Sequence, residues 1–222
     1  MLSSFLISSQ KKGSEILFTC HSDLSGAIEI REGEYGRELW VDGANQSTRI
    51  LKDTRANYWQ CASEYASVKN KDKILVLGLG GGEIIRRLNE IYNDLQVTAV
   101  ELDPIIVDLY KKYFKENKNK RIDIVVGDAY KYILRNKRKY NAVFCDVYFK
   151  GTYPKEFLEH NFLWSVKNSL RKEGQYISNR IFALNPKRAS SEYEGLLKLY
   201  FKNVYCKYVG GTTLNYVFFA NI

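Results

Sequence analysis

Short runs of alternating hydrophobic and polar residues characterise the first fifty residues of the chain. Three β-prone runs are separated by glycine-containing turn signals: residues 15–20, 27–32 and 38–42. Alternation of this kind is typical of antiparallel strands with one solvated face. A module of only a few strands is not stable on its own. We therefore predict that residues 1–52 form a small β-hairpin module that packs on a larger domain.

From residue 73 onward the pattern changes to alternating strands and helices. An apolar run at residues 73–77 is followed by glycines, and residues 83–92 carry apolar residues at helical spacing. Further strands are predicted at residues 96–101, 122–126, 140–146, 175–178, 204–208 and 216–220, and further helices at residues 104–113, 129–134, 154–170 and 190–200. This alternation predicts a doubly wound, mostly parallel α/β sheet over residues 53–222, closed by an antiparallel hairpin at Gly210-Gly211.

Targeting and cysteine patterns bear on the compartment. The apolar run within residues 1–9 is too short for a secretory signal, and Lys11 and Lys12 follow it instead of preceding it. We expect a first strand or a frayed terminus there, and no membrane-spanning segment anywhere. Four cysteines stand far apart in sequence: Cys20, Cys61, Cys145 and Cys206. This spacing predicts reduced thiols in a cytoplasmic protein.

Positive charge is concentrated in one part of the chain. The net charge is +9, from 34 Lys+Arg against 25 Asp+Glu, and residues 111–140 hold eleven basic residues but only three acidic ones. Such a segment could attract nucleic acid, an acidic partner or an anionic substrate. It lacks regularly interleaved aromatic residues, so a solvated surface is favoured over a nucleic-acid site.

A glycine-rich turn follows the first strand of the predicted sheet. Ligands of doubly wound sheets bind beyond the carboxyl ends of the strands, and the loop at residues 78–82 contains four glycines. Glycines permit a tight turn and a close approach to a ligand. The dinucleotide pattern G-x-G-x-x-G is absent, because Glu83 occupies the place of its third glycine and would repel a pyrophosphate. The pattern therefore favours a nucleoside without a phosphate bridge.

Acidic residues end the next two strands. Glu101 lies 21 residues beyond Gly80, close to the offset at which a carboxylate accepts hydrogen bonds from ribose hydroxyls. Asp128 follows the third strand, where it could reach an adenine amino group, cap a helix, or do both. A solvated acid at a strand end is the alternative interpretation for Glu101.

Several blocks in fixed order carry a family resemblance. ILVLGLGGGE, VELDP, VVGDA and YNAVFCDVY resemble the polyamine aminopropyltransferases (spermidine synthases) and their methyltransferase-like relatives. The similarity extends back through ELWVDGANQS and forward through YPKEFLEHNFLWSVKNSLRKEG to NYVFFA. It implies a class I S-adenosylmethionine-dependent methyltransferase-type Rossmann-like fold with a small N-terminal β-hairpin module.

The resemblance also implies a cofactor and its binding residues. The cofactor would be S-adenosylmethionine or decarboxylated S-adenosylmethionine, with no metal, and the protein would form a homodimer. Its binding residues would be Gln46, Gly78, Gly80, Gly81, Gly82, Glu101, Leu102, Asp128 and Ala129. Within this set Glu101 would hold the ribose, and Asp128 with Ala129 would hold the adenine edge. Asp146, or alternatively Tyr148, would orient an attacking amine or receive its proton.

Three departures from the aminopropyltransferase pattern bear on the reaction. Gly81 stands where those enzymes resemble one another in having an aspartate that pairs with the cofactor amine. The acidic motif after the fourth strand is shortened to residues 146–148, and Tyr58-Trp59 replaces a tyrosine–histidine pair. We therefore predict methyl transfer to an unidentified amine-type acceptor, ahead of aminopropyl transfer. A catalytically silent nucleoside-binding subunit and a nucleic-acid-modifying enzyme are the remaining alternatives.

Overall fold

The computed structural model describes residues 14–49, 57–115, 122–149, 152–210 and 214–222. The strand or frayed terminus expected at residues 1–9 lies outside these ranges. So do residues 116–121 of the basic segment and Gly211 of the predicted closing turn.

The N-terminal module is a four-stranded antiparallel meander. Its strands are β1 (Glu15–Ser22), β2 (Gly26–Gly33), β3 (Gly36–Val41) and β4 (Ala44–Thr48). The fourth strand was not predicted from the sequence. Asp42 and Gly43 both adopt positive φ, at 46° and 74°, which is the backbone of a two-residue hairpin turn that folds β4 back onto β3.

The second sheet has seven strands: β5 (Lys73–Leu77), β6 (Gln96–Glu101), β7 (Ile122–Val126), β8 (Tyr140–Cys145), β9 (Leu170–Ile181), β10 (Val204–Val209) and β11 (Asn215–Asn221). Their spatial order is β10-β11-β9-β8-β5-β6-β7. Strands β5 to β9 are mutually parallel, whereas β11 runs antiparallel to both β9 and β10. The predicted parallel sheet and its antiparallel closing pair are therefore confirmed.

Six α-helices accompany these strands within the described residues: α1 (Tyr58–Glu64), α2 (Glu83–Ile91), α3 (Pro104–Leu109), α4 (Ala129–Arg135), α5 (His160–Ser169) and α6 (Pro186–Lys198). A π-helical turn at Tyr110–Phe114 continues α3, and a 3₁₀ turn at Lys155–Leu158 precedes α5. Asp103 caps α3 and Pro104 occupies its first position, as the sequence predicted.

Several elements differ from the sequence predictions. The helix predicted at residues 154–170 is interrupted by extended backbone at Glu159. Helix α6 begins earlier than predicted, because Pro186 suits a first helical position. Helix α1 was not predicted at all. Strand β9 is longer than residues 175–178 and continues through Asn179 and Arg180, which are polar but buried.

Two hydrophobic clusters cover the faces of the seven-stranded sheet. One of them includes Ile28, Ile30 and Leu39 of the β module together with residues of β5, β6 and α2. The module therefore contributes to the main core, which explains how so small a meander is stable. Among the described residues, no helix combines the length and apolar character needed to span a bilayer.

Candidate functional site

A cavity of about 580 Å³ lies at the carboxyl ends of β5, β6 and β8. Strand order reverses at β5, so the cavity occupies the topological switch point where doubly wound sheets bind ligands. The β module supplies another part of its wall, through Val41, Asp42, Gln46 and Ser47. A volume of this size is typical of small-molecule sites.

Ten of the eleven residues singled out from the sequence line this cavity. They are Gln46, Gly78, Gly80, Gly82, Glu101, Leu102, Asp128, Ala129, Asp146 and Tyr148. Gly81 is the exception, since it is not among the residues that line the cavity. The strand ends named in the sequence therefore do meet in space, and a residue of β4 joins them.

The glycine loop owes its shape to positive φ angles and to close backbone packing. Gly78, Gly80 and Gly82 have φ of 90°, 51° and 73°, values that residues other than glycine rarely adopt. A Cβ at Gly78 would lie 2.3 Å from the carbonyl oxygen of Asp146. A Cβ at Gly80 would meet only the carbonyl oxygen of Gln46, at 3.9 Å. The space beside Gly80 is open, as a loop that cradles a ligand requires.

Gly81 faces the β module at Ser47, which itself lines the cavity. A Cβ at this position would lie 2.6 Å from Ser47 Oγ, 2.7 Å from Ser47 Cβ and 3.3 Å from a ring carbon of Phe114. Ser47 is itself buried. The loop therefore has no room for a side chain at residue 81 unless Ser47 is also changed.

Glu101 fixes the glycine loop through its carboxylate. Oε2 accepts hydrogen bonds from the backbone amides of Leu79 at 3.0 Å and Gly80 at 3.1 Å, and Oε1 accepts one from Asp103 at 3.2 Å. Burial raises the pKa of Glu101, while these backbone bonds oppose the increase. The side chain thus lines the cavity and holds the loop at the same time.

Asp128 is the N-cap of α4. Its Oδ1 accepts hydrogen bonds from the backbone amides of Tyr130 at 2.8 Å and Lys131 at 3.2 Å. Both Asp128 and Ala129 also line the cavity. The helix-capping role, one of the two interpretations that the sequence left open for Asp128, is confirmed. Asp128 caps α4 and still faces the cavity.

Asp146 is held by neutral hydrogen-bond donors. The Tyr58 hydroxyl donates to Oδ2 at 2.9 Å and the Asn179 side-chain amide donates to Oδ1 at 3.2 Å. Burial raises the pKa of Asp146, and these hydrogen bonds only partly offset that effect. Burial also raises the pKa of Tyr58, with the Asp146 charge adding to the increase. Asp146 is therefore a better proton acceptor near neutral pH than an exposed aspartate.

Tyr148 stands beside this pair on the cavity wall. Its hydroxyl is buried. Burial and the neighbouring Asp146 charge raise its pKa. The hydroxyl is therefore neutral at physiological pH and can donate or accept a hydrogen bond, but it is a poor base.

Glu83 is a buried carboxylate that lines the cavity at the start of α2. It pairs with Arg86 at 2.6 Å and with Arg87 at 2.9 Å. Its charge is therefore compensated within its own helix. Glu83 would therefore repel a pyrophosphate less strongly than a glutamate without these arginine partners.

Sequence reasoning assigned no role to Tyr58 or Asn179. Both meet Asp146, from positions 88 and 33 residues away along the chain. Only the family's tyrosine–histidine pair at residues 58–59 offered a signal for Tyr58. His160 lies elsewhere, where its Nδ1 is hydrogen-bonded to the Tyr200 hydroxyl. The described residues contain no group of three or more His, Cys, Asp or Glu arranged to hold a metal ion.

Curated relatives include both aminopropyltransferases and a methyltransferase. The polyamine aminopropyltransferase of Sulfurisphaera tokodaii is 32% identical over 54% of this chain and 42% of its own length. Spermidine synthase 2 of Arabidopsis thaliana is 30% identical over 73% of this chain and 49% of its own length. A Drosophila pseudoobscura homologue of the eEF1A lysine and N-terminal methyltransferase is 30% identical over 49% of this chain and 17% of its own length. The chain thus spans about half, or less, of these relatives.

Solved structures share the fold. A probable spermidine synthase of Corynebacterium glutamicum has a TM-score of 0.75 and 21% identity, covering 94% of this chain and 79% of that one. A spermidine synthase in complex with the transition-state analogue AdoDATO has a TM-score of 0.70 and 17% identity, covering 93% of this chain and 73% of that one. Human methyltransferase-like protein 13 in complex with SAH has a TM-score of 0.61 and 24% identity, covering 74% of this chain and 79% of that one.

These likenesses confirm the class I methyltransferase-type Rossmann-like fold predicted from the sequence. The spermine/spermidine synthase domain matches residues 62–215, which include the last turn of α1, the glycine loop, Glu101 and Asp146. The chain belongs to the spermine/spermidine synthase domain family.

Proposed function

We propose that this chain is a transferase that binds S-adenosylmethionine, or its decarboxylated form, in the cavity at the switch point. The observation that carries the proposal is the junction of Glu101 with the glycine loop on the cavity wall. Glu101 would hold the ribose, Asp128 and Ala129 the adenine edge, and Gln46 with the glycine loop the rest of the cofactor. Relatives solved with AdoDATO and with SAH support a ligand of this type.

The chain's own residues would act on the acceptor. When bound, the cofactor supplies an electrophilic carbon attached to a sulfonium, which leaves as a neutral thioether. Asp146 would orient a neutral amine and take the proton that its nitrogen loses, while Tyr58 and Asn179 keep the carboxylate in place. The enclosing wall of Tyr148 and Phe157 would limit the access of water.

We favour methyl transfer over aminopropyl transfer because of Gly81. A carboxylate at this position would give an aminopropyl ammonium a charge-assisted hydrogen bond worth about 1.5–3 kcal/mol. The chain has glycine there, and Ser47 occupies the space into which a side chain would extend. Aminopropyl transfer nevertheless remains the alternative, since aminopropyltransferases are prominent among the relatives.

Calorimetric titration with both cofactors tests the proposal. We expect the unchanged protein to bind S-adenosylmethionine, and Glu101→Gln to bind it at least tenfold more weakly because the ribose loses a charged acceptor. Asp108→Asn is the matched control, since Asp108 is exposed on α3 and forms a surface ion pair with Lys111. Absence of binding to either cofactor would refute the proposal, and a clear preference for the decarboxylated form would reverse our ranking of the two reactions.

A double variant tests the role of Gly81 directly. Gly81→Asp alone should destabilise the protein by about 1–3 kcal/mol, because the new Cβ overlaps Ser47. Ser47→Gly should relieve this overlap in the double variant. We expect the double variant to gain about tenfold to hundredfold in affinity for the decarboxylated cofactor relative to S-adenosylmethionine. An unchanged ratio would contradict the role assigned to residue 81.

Turnover assays separate an enzyme from a silent subunit. A panel of amine acceptors should give product with the unchanged protein, and Asp146→Asn should lower the rate by about 10²–10⁴-fold. If cofactor binds but neither protein forms product with any acceptor, the alternative of a catalytically silent nucleoside-binding subunit is favoured.

A further inference from the structure

Aromatic residues are concentrated in one part of the cavity wall. Five of them line the cavity, and all belong either to α1 or to the segment after β8: Tyr58, Trp59, Tyr148, Phe149 and Phe157. In the second segment, the rings of Tyr148 and Phe157 both pack against Tyr153, at centroid distances of 5.9 Å and 6.0 Å. None of the five belongs to the glycine loop or to the ends of β6 and β7, where we propose that the cofactor binds.

The Asp146 carboxylate joins the two aromatic segments. The Tyr58 hydroxyl donates to it at 2.9 Å, and the Trp59 ring lies 4.3 Å from the Tyr58 ring. Tyr148 follows Asp146 by two residues along the chain. Its hydroxyl oxygen is buried, so Tyr148 borders the cavity with its other atoms. The acceptor end of the cavity thus combines one carboxylate with several aromatic rings.

All charged side chains of the described residues that line the cavity are acidic. Six carboxylates line it: Asp42, Glu83, Glu101, Asp128, Asp146 and Glu156. No lysine, arginine or histidine of the described ranges is among the lining residues. Asp146 and Glu156 stand in the same segment as Tyr148 and Phe157. Carboxylates and ring faces both attract a cation, so this end of the cavity favours a positively charged ligand.

Asp146 has little hydrogen-bonding capacity left for such a ligand. A carboxylate offers about four lone-pair positions. Tyr58 and Asn179 fill two of them. The Trp59 side chain donates a further hydrogen bond, which opposes the increase in the pKa of Asp146. About one position therefore remains. A primary ammonium brings three N–H donors, whereas a tertiary ammonium brings one and presents alkyl groups to the rings.

We propose that the acceptor is a tertiary amine with N-methyl groups, held as its ammonium against the aromatic rings with its one N–H directed at Asp146. The inference rests on the proposed transferase function and names its substrate class. In the transfer, Asp146 takes the N–H proton and the freed nitrogen lone pair bonds to the transferred carbon. The carbon–sulfur bond breaks and leaves its electron pair on sulfur. The products are a quaternary ammonium, which the rings can still hold, and a neutral thioether.

Thermal-shift titrations without cofactor test the ammonium site. The probes are N,N-dimethylethanolamine, choline, ethanolamine and 3,3-dimethylbutan-1-ol at equal ionic strength. They share a hydroxyethyl chain and differ in the group at its end, and the last is the neutral isostere of choline. We expect the tertiary and quaternary ammonium ions to raise the Tm of the unchanged protein at concentrations about tenfold lower than ethanolamine, because their methyl groups pack on the rings. The neutral alcohol should give no comparable shift.

Matched variants assign the effect to the rings. Trp59→Leu and Phe149→Leu should each weaken the binding of N,N-dimethylethanolamine by about threefold to thirtyfold. Trp164→Leu is the control and should bind it unchanged, because Trp164 is half exposed on α5 and is not among the residues that line the cavity. Should Trp59→Leu not fold, Phe149→Leu still tests the inference, since Phe149 is 39% exposed and contributes less to the core.

A turnover assay tests the acceptor role. With S-adenosylmethionine and the unchanged protein, N,N-dimethylethanolamine should gain one methyl group and form choline, detected by mass spectrometry. Ethanolamine should give at most about a tenth of that rate, following its weaker binding. Binding of both cofactor and tertiary amine without formation of choline would show that the tertiary amine is not the acceptor.

Three binding results would also overturn the inference. They are stabilisation by the neutral alcohol equal to that by choline, binding of ethanolamine as tight as that of its dimethyl form, and an ammonium shift that is absent or is undiminished in both ring variants. The cofactor titration is a separate measurement. If cofactor fails to bind while the ammonium shift depends on the rings, the transferase proposal fails and the ammonium site stands; the reverse result removes the ammonium site alone.

Discussion

Asp146 combines a negative charge with neutral hydrogen-bond donors. Tyr58 and Asn179 hold its two oxygens, and no cation of the described residues forms an ion pair with it. Burial therefore raises its pKa. A carboxylate in this setting is unfavourable for folding at neutral pH but suited to proton transfer, which is the compromise expected of a functional site.

Asp146→Asn should stabilise the ligand-free protein at neutral pH. The pKa of the unfolded aspartate is near 3.8 and that of the folded one is higher, so the folded state binds more protons between these two values. The unchanged protein therefore loses stability as pH rises through this window. The difference in Tm, Asp146→Asn minus unchanged, should grow with pH and then level off.

Thermal unfolding from pH 4 to pH 8 measures this difference. Asp108→Asn, on the exposed face of α3, should give a difference in Tm that varies much less with pH. Lower stability of Asp146→Asn across the whole range would show that the ionised carboxylate stabilises the fold, which is the opposite of the cost that burial without a cation implies.

At this scale the sequence predicted strand-end residues well and their partners poorly. Glu101 and Asp146 follow apolar runs, and the carboxyl ends of parallel strands meet at one edge of the sheet. Tyr58 and Asn179 carry no such signal. Tyr58 reaches the site from a helix that the periodicity did not reveal, and Asn179 is a polar residue in a buried strand, which patterning does not predict.

Helix α3 joins the β module to the large sheet through its cap. Asp103 Oδ1 accepts a hydrogen bond from the Ile105 amide at 2.9 Å, and Oδ2 accepts hydrogen bonds from Ser22 Oγ at 2.5 Å and Ser25 Oγ at 2.6 Å. Ser25 also lines the cavity. One buried side chain thus caps the helix and fixes the turn between β1 and β2 that contributes to the cavity wall.

Asp103→Ala should lower the free energy of unfolding by roughly 2–4 kcal/mol, because it removes a cap and leaves two hydroxyls without their charged acceptor. Asp103→Asn keeps an oxygen for the cap and should lose less. Urea unfolding monitored by tryptophan fluorescence measures both values. Equal losses in the two variants would mean that the hydroxyl bonds contribute nothing beyond the cap.

Elements with strong local signals were predicted closely. Strands β5, β6 and β7 have the predicted bounds, and β8 ends one residue earlier than predicted, because each is a short apolar run next to a glycine or an acid. Strand β4 and the break at Glu159 depend on backbone conformation that hydrophobic patterning does not encode. The capping role of Asp103 was predicted, but its bonds to Ser22 and Ser25 span about eighty residues of chain.

The molecule as a whole forms its cavity from two sheets. The large sheet supplies the glycine loop, Glu101 and Asp146, while the β module supplies Gln46 and the Ser47 side chain that occupies the space beside Gly81. The module therefore forms part of the cavity wall as well as completing the core. The division at residue 52 and the homodimer stay predictions.

Within the described residues, part of the positive charge of the basic segment at residues 111–140 is balanced by acidic side chains. Arg138 pairs with Asp123 at 3.2 Å, and Lys131 lies 3.9 Å from Asp128. These exposed pairs agree with the interpretation of a solvated surface, which the sequence favoured over a nucleic-acid site.

A crystal structure of the chain with S-adenosylhomocysteine is the most direct measurement of the central claim. We predict adenosine in the switch-point cavity, both ribose hydroxyls within hydrogen-bond distance of the Glu101 carboxylate, the adenine edge beside Asp128 and Ala129, and the sulfur facing Asp146. Adenosine bound elsewhere, or a ribose held without Glu101 at saturating ligand, would contradict the account.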